Sequence, residues 1–246
     1  MESGRYFPGE HLGLAEKLDR YLARLAASLG AEAFAEKAAF LLLAGGYGRG
    51  EGGVFQTSAD ADAELYNDLE FYLVLRDPSA TSAAQHWCHD EAHRGEEEIG
   101  IEVEFKVLAL AALQGAEPSM FYYDLLAAHR LVWGDATLVA ALPARLRDPA
   151  LIPAHEATRL LFNRGTGLYF SARKLADDST PPDSGFIERN HAKVRLALAD
   201  AVLALNGRHH FSCRTRHERM TEPLAQTPPC WRISSATRFA PAALPR

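Results

Sequence analysis

The stretch Leu43-Ala44-Gly45-Gly46-Tyr47-Gly48-Arg49-Gly50-Glu51-Gly52-Gly53 closes an apolar run with a glycine-dense turn, and Tyr66-Asn67-Asp68-Leu69-Glu70-Phe71-Tyr72-Leu73 then opens a strand with two carboxylates. Glycines let backbone N–H groups approach an anion closely. Carboxylates at i and i+2 of a strand share one face, roughly 6.5 to 7 Å apart along the chain, and can share divalent cations. The pairing points to phosphate and metal chemistry.

Hydrophobic periodicity organises the rest of the chain. Leu14, Leu18, Tyr21, Leu22, Leu25 and Leu29 recur at helical intervals and predict an amphipathic helix over 9–30, with Gly30 placed to end it. Ala38 to Ala44 reads as a short buried strand delivering the glycine turn, and residues 56–66 as a small, acidic surface excursion. Asp68 to Leu75 predicts a strand ended by Asp77-Pro78, and 80–94 a helix. Ile99 to Leu108 alternates cleanly, with Ile101, Val103, Phe105 and Val107 on one face and Glu102, Glu104 and Lys106 on the other. A helix near 119–129 and a short strand Arg130–Gly134 complete the α/β part. Beyond it, 135–147, 153–177, 186–206 and 209–221 are helical by period, and no further strand is expected. The expected organisation is therefore a domain over 1–150 with a small mixed sheet, an all-helical domain over 151–221, and an irregular proline-rich tail over 222–246.

Composition narrows the function classes. A net charge of −6 and a pI near 5.9 argue against a nucleic-acid partner gripped by a broad basic surface. No apolar run reaches the roughly 18 to 20 residues a membrane helix needs, and the start MESGRYFPGEHLG lacks the charged and apolar regions of a signal peptide. The expectation is a cytoplasmic protein with no membrane partner. Cys88, Cys213 and Cys230 show no C-x-x-C spacing, so neither a disulfide framework nor a zinc knuckle is indicated.

Gly48, Gly50 and Gly53 also fit G-x-G-x-x-G, the dinucleotide-binding fingerprint. That unit needs a helix directly after the third glycine and an acid at the far end of the next strand. Here VFQTSADADAE follows, and the acids stand at the head of their strand. With those residues in place, the chain resembles the nucleotidyltransferase superfamily typified by DNA polymerase beta and kanamycin nucleotidyltransferase. The resemblance rests on Gly45-Gly46, on Asp68-x-Glu70 at a strand head, and on a later strand carrying Glu104, and it spans roughly residues 38–134. Three departures stand out: 21 residues separate Gly46 from Asp68, Gly46 replaces a frequent serine, and Glu102 competes with Glu104 for the third carboxylate.

The resemblance implies magnesium-dependent transfer of a nucleoside monophosphate, AMP in preference, from a triphosphate to a hydroxyl with release of pyrophosphate. Asp68, Glu70 and Glu104 would be the catalytic, metal-holding carboxylates, and Gly45, Gly46 and Arg49 would hold the phosphates. On the helical part, Asn190 and Lys193 share a helix face, with Lys193 a candidate triphosphate contact. The acceptor is a small molecule or a protein side chain. The alternative is a non-catalytic nucleotide-binding or interaction module of the same fold. Two further groups, His86, Cys88, His89 and His93, and His209, His210, Cys213 and His217, carry ligand-type side chains but match no zinc spacing.

Overall fold

A computed structural model describes residues 6–57, 62–176 and 184–222. The chain separates into two compact units, Met1–Pro153 with His210–Cys213, and Ala154–His209 with the residues from Arg214 on.

The first unit is a mixed α/β structure. Helix α1 (Leu12–Ala31) closes one residue past Gly30 and buries Leu18, Tyr21, Leu25 and Leu29, the stripe its periodicity predicts. Strand β1 (Ala38–Leu43) is buried along its whole length. It runs into α2 (Gly45–Gly48), a single helical turn. The spacer that follows folds as a small hairpin, β2 (Val54–Phe55) against β3 (Glu64–Leu65), and β4 (Leu69–Leu75) then enters the main sheet. Helix α3 (Thr81–Ile99) leads to β5 (Val103–Ala109), α4 (Leu110–Gly115), α5 (Met120–Ala127) and β6 (Arg130–Gly134).

The sheet order is β5-β4-β1-β6. β1 pairs antiparallel with both β4 and β6, and β4 pairs parallel with β5. A dinucleotide-binding unit needs parallel neighbours around its glycine-bearing strand, and here β1 has none. Each sheet face carries a core. Leu41, Leu43, Phe71, Leu73 and Val103 pack with α1 and α3, whereas Phe40, Leu42, Tyr72 and Val74 pack with Leu113, Leu125 and Leu126.

Several boundaries differ from those expected. α3 runs five residues past 94, and β5 starts only at Val103, which leaves Glu102 ahead of the strand. The helix expected over 135–147 is α6 (Ala136–Ala140) followed by 3₁₀ turns at Ala144–Arg147 and Pro149–Leu151. Pro143 and Pro149 forbid a continuous helix there.

The second unit is helical: α7 (Ala154–Leu175), α8 (Ser184–Leu205) and, from Arg214 on, α9 (Cys213–Thr221). Arg216 Nε lies 2.8 Å from Asp200 Oδ1, tying α9 to α8. α9 begins four residues later than expected. Among the described residues no helix is long and apolar enough to cross a membrane. The proline-rich tail and most of the linker before α8 lie outside the described residues.

Candidate active site

Strand direction assembles the candidate site. Because β1 runs antiparallel to β4, the end of β1 lies beside the start of β4: Leu43 is the register partner of Phe71, and Ala44 N–H donates to Glu70 O at 2.8 Å. The glycine turn is thereby carried to the strand-head acids. Because β5 runs parallel to β4, Glu104 stands in register with Glu70 and Lys106 with Tyr72. Adjacent strands lie roughly 4.8 Å apart, so the two glutamates leave the sheet side by side. Their face is that of Tyr72 and Val74, which carry the second core.

Gly45 fits this arrangement closely. Its φ is +62°, in the left-handed region, and a Cβ there would come within 2.6 Å of Glu70 Oε1. The Glu70 carboxyl therefore lies against the bare backbone of the turn. Its pKa is raised, first by burial and then by the Asp68 charge, with Glu104 adding to the rise and Lys106 and Arg49 opposing it. Asp68 immediately precedes β4 and is half-buried. Glu102 is exposed and contributes its carbonyl, which accepts from Leu69 N–H at 2.9 Å. Of the two rival glutamates, Glu104 is the one in register with Glu70.

The long spacer is held shut by residues that sequence reasoning overlooked. Tyr47 is fully buried in the turn, and its hydroxyl donates to Gly53 O at 2.7 Å and accepts from Tyr66 N–H at 3.1 Å. Gly53 N–H donates to Asn67 Oδ1 at 2.7 Å. These bonds close the hairpin at its base, so its length does not displace Asp68. Glu51 is a second such residue. It accepts from Arg49 Nε at 3.1 Å, from Ser212 Oγ at 2.6 Å and from Cys213 N–H at 2.9 Å, fastening the turn to segment 210–213. Only the aromatic and acidic residues interleaved with the glycines hinted at these roles.

Lys106 and Tyr72 border the glutamates. Lys106 Nζ lies 3.5 Å from Glu104 Oε2 and 5.6 Å from the Tyr72 ring centre, and the Tyr72 hydroxyl donates to Glu70 Oε2 at 3.4 Å. Burial pulls the Lys106 pKa down, but Tyr72, Glu104 and Glu70 outweigh it and hold it up.

A hard divalent cation suits the chemistry of Asp68, Glu70 and Glu104, which are all oxygen donors. The charges of Asp68 and Glu104 both raise the proton affinity of Glu70, which lies over a glycine with no Cβ. Even so, among the described residues no group of three or more His, Cys, Asp or Glu side chains stands close enough to hold one. That applies equally to the two histidine and cysteine groups. In the first, Cys88 is buried and His89 stacks edge-on against His93.

The candidate residues of the helical unit form a separate set. Lys193 is exposed on α8, and Asn190 spends its amide on its own helix, Nδ2 donating to Phe186 O at 2.9 Å.

No protein-family model and no curated protein matches the chain. Among solved structures it is similar to spectinomycin adenyltransferase AAD(9) from Enterococcus faecialis, determined with ATP and spectinomycin. The two are 14% identical with a TM-score of 0.36, over 77% of this chain and 90% of that one.

Proposed function

We propose that this protein is a magnesium-dependent nucleotidyltransferase that moves a nucleoside monophosphate, AMP in preference, from a triphosphate to a hydroxyl of a small-molecule or protein acceptor. The observation that carries this reading is the register pairing of Glu70 with Glu104 against the bare turn at Gly45.

The acceptor oxygen attacks the α-phosphorus, the bond to the pyrophosphate oxygen breaks, and the hydroxyl proton must leave. Glu104 receives that proton at its carboxylate. Asp68 and Glu70, with Glu104, would hold two magnesium ions. When bound, such a pair neutralises the charge that builds on the attacking, equatorial and leaving oxygens. Backbone N–H groups at Gly45 and Gly46 and the Arg49 guanidinium grip the β and γ phosphates and then release pyrophosphate. In this reading the helical part, residues 151–221, completes the binding of nucleotide or acceptor, and Lys193 contributes a charge to the triphosphate.

The same residues in a non-catalytic module would bind nucleotide without turnover. Incubation with magnesium and each labelled triphosphate, read as pyrophosphate release or self-labelling, separates the two. Asp68→Ala is expected to lower any transfer by on the order of a thousandfold, several kcal/mol of transition-state charge stabilisation, with an unchanged circular dichroism spectrum. Full activity in that variant overturns the mechanism.

A further inference from the structure

Glu51 stands in the glycine turn two residues after Arg49 and faces two ways at once. Its Oε2 accepts from Arg49 Nε at 3.1 Å and from Cys213 N–H at 2.9 Å, and its Oε1 accepts from Ser212 Oγ at 2.6 Å. Its backbone returns to the head of the turn, Glu51 N–H donating to Gly46 O at 2.8 Å. Residues 210–213 belong to the same compact unit as the turn, so all four bonds lie within one unit.

Three features separate Arg49 and Glu51 from an ordinary surface ion pair. Both side chains are mostly buried, at 24% and 20% exposure, so water screens their contact less than it does an exposed pair. Glu51 cannot follow a wandering arginine, because Ser212 and Cys213 hold its two oxygens. Finally, the contact takes Nε alone. A guanidinium carries five donors, and among the described residues the two Nη groups of Arg49 bond to none. The edge left open is the one that makes two parallel bonds to a phosphate. Arg49 also belongs to the neighbourhood of the strand-head acids, since its charge opposes the rise in the Glu70 pKa.

We propose that Glu51 is a positioning residue: it holds Arg49 by Nε, so that the open edge of the guanidinium is preset to grip a polyphosphate chain. The inference rests on the phosphate-gripping role given above to the turn. A free arginine loses much side-chain entropy when it meets a ligand, and one already fixed by a carboxylate loses less. The negative charge of Glu51 opposes an incoming anion, but a hydroxyl and an amide already share that charge, so orientation is expected to outweigh repulsion.

The test is binding of inorganic tripolyphosphate to the full chain without metal, read by isothermal titration calorimetry. Arg49→Ala is expected to weaken binding about thirtyfold, through the loss of charged hydrogen bonds. Glu51→Ala is expected to weaken it about fivefold. In the double variant the loss should match that of Arg49→Ala alone to within about twofold, because Glu51 acts only through the arginine. Ser212→Ala leaves the bond between Arg49 and Glu51 in place and is expected to stay within about twofold of the unaltered protein. Glu51→Gln repeats the series should the alanine variant fail to fold. Where the unaltered protein binds measurably, three results overturn the positioning role: unchanged or tighter binding by Glu51→Ala, losses that add in the double variant, or an equal loss in Ser212→Ala. Absence of binding by the unaltered protein overturns the phosphate-gripping role of the turn, and this inference with it.

Discussion

The sheet unit and the helical unit handle their side chains in opposite ways. In the first, two cores sandwich a four-stranded sheet, and strand register brings acids from two separate stretches of sequence, 68–70 and 104, beside the glycine turn. In the second, α7 and α8 leave large apolar side chains in solvent: Phe162 is 76% exposed and Tyr169 59%, with Leu175, Leu196 and Leu198 each at least half so. Polar groups there bond largely to their own helices, as Asn190 does to Phe186 and Ser171 to Gly167. A sheet fixes chemistry by pairing, because each residue has a defined neighbour on the next strand. A helix fixes only its own periodicity, and its outward residues need another surface to give them a role.

The sharpest break in this contrast is expected in stability. Leu73 is wholly buried at the centre of β4, so Leu73→Ala should cost about 2 to 5 kcal/mol through lost burial and the cavity left behind. Phe162→Ala on α7 removes a ring that is already largely solvated and should stay within about 0.5 kcal/mol. Denaturant unfolding of both variants measures the difference. Equal losses would mean that the helical face is covered in solution and that the contrast is false.

A smaller effect is expected at the joint between β1 and the turn. Gly45→Ala places a Cβ where Glu70 Oε1 now lies and forces a left-handed conformation on alanine, at a cost of about 1 to 3 kcal/mol. A fall of several degrees in the melting temperature, accompanied by loss of Mn²⁺ binding, would mark Gly45 as the seat of the Glu70 carboxyl. An unchanged melting temperature would show that the turn relaxes freely around the added methyl.

Much of the sheet unit was legible because its signals are local. The period-two alternation of β5, the buried run of β1 and the strand-head position of Glu70 are all written within a few residues, and β6 closes where Arg130–Gly134 predicts. What was not legible depended on distant neighbours. α3 continues to Ile99, past its expected end at 94, with Gly95 buried inside it and the Tyr21 hydroxyl 2.5 Å from where a Cβ would stand. The late start of α9 has the same origin, since the amide of its first residue is satisfied by Glu51, 162 positions earlier. The resemblance already favoured Glu104 over Glu102, but the β4–β5 register that stands it beside Glu70 is stated by no periodicity. Lys106 looked like one more charge on an alternating strand until Tyr72 and Glu104 were placed around it.

Cysteine chemistry offers the finest test of the contrast, because it probes burial residue by residue. Cys88 lies in the first core, where burial pushes its thiol up to about 12, and Cys213 is only half-buried. A thiol whose pKa is raised on folding lends stability that is complete below its unfolded value, about 8.5, and drains away as pH climbs toward 12. Between pH 8 and 9, Cys88 should therefore stay protonated and react with iodoacetamide far more slowly than the same residue in the unfolded chain, where much of it is thiolate. Cys213 should be modified earlier, as read by site-resolved mass spectrometry. Rapid labelling of Cys88 under native conditions would show that α3 opens from the sheet, and that the first unit is less closed than its two cores imply.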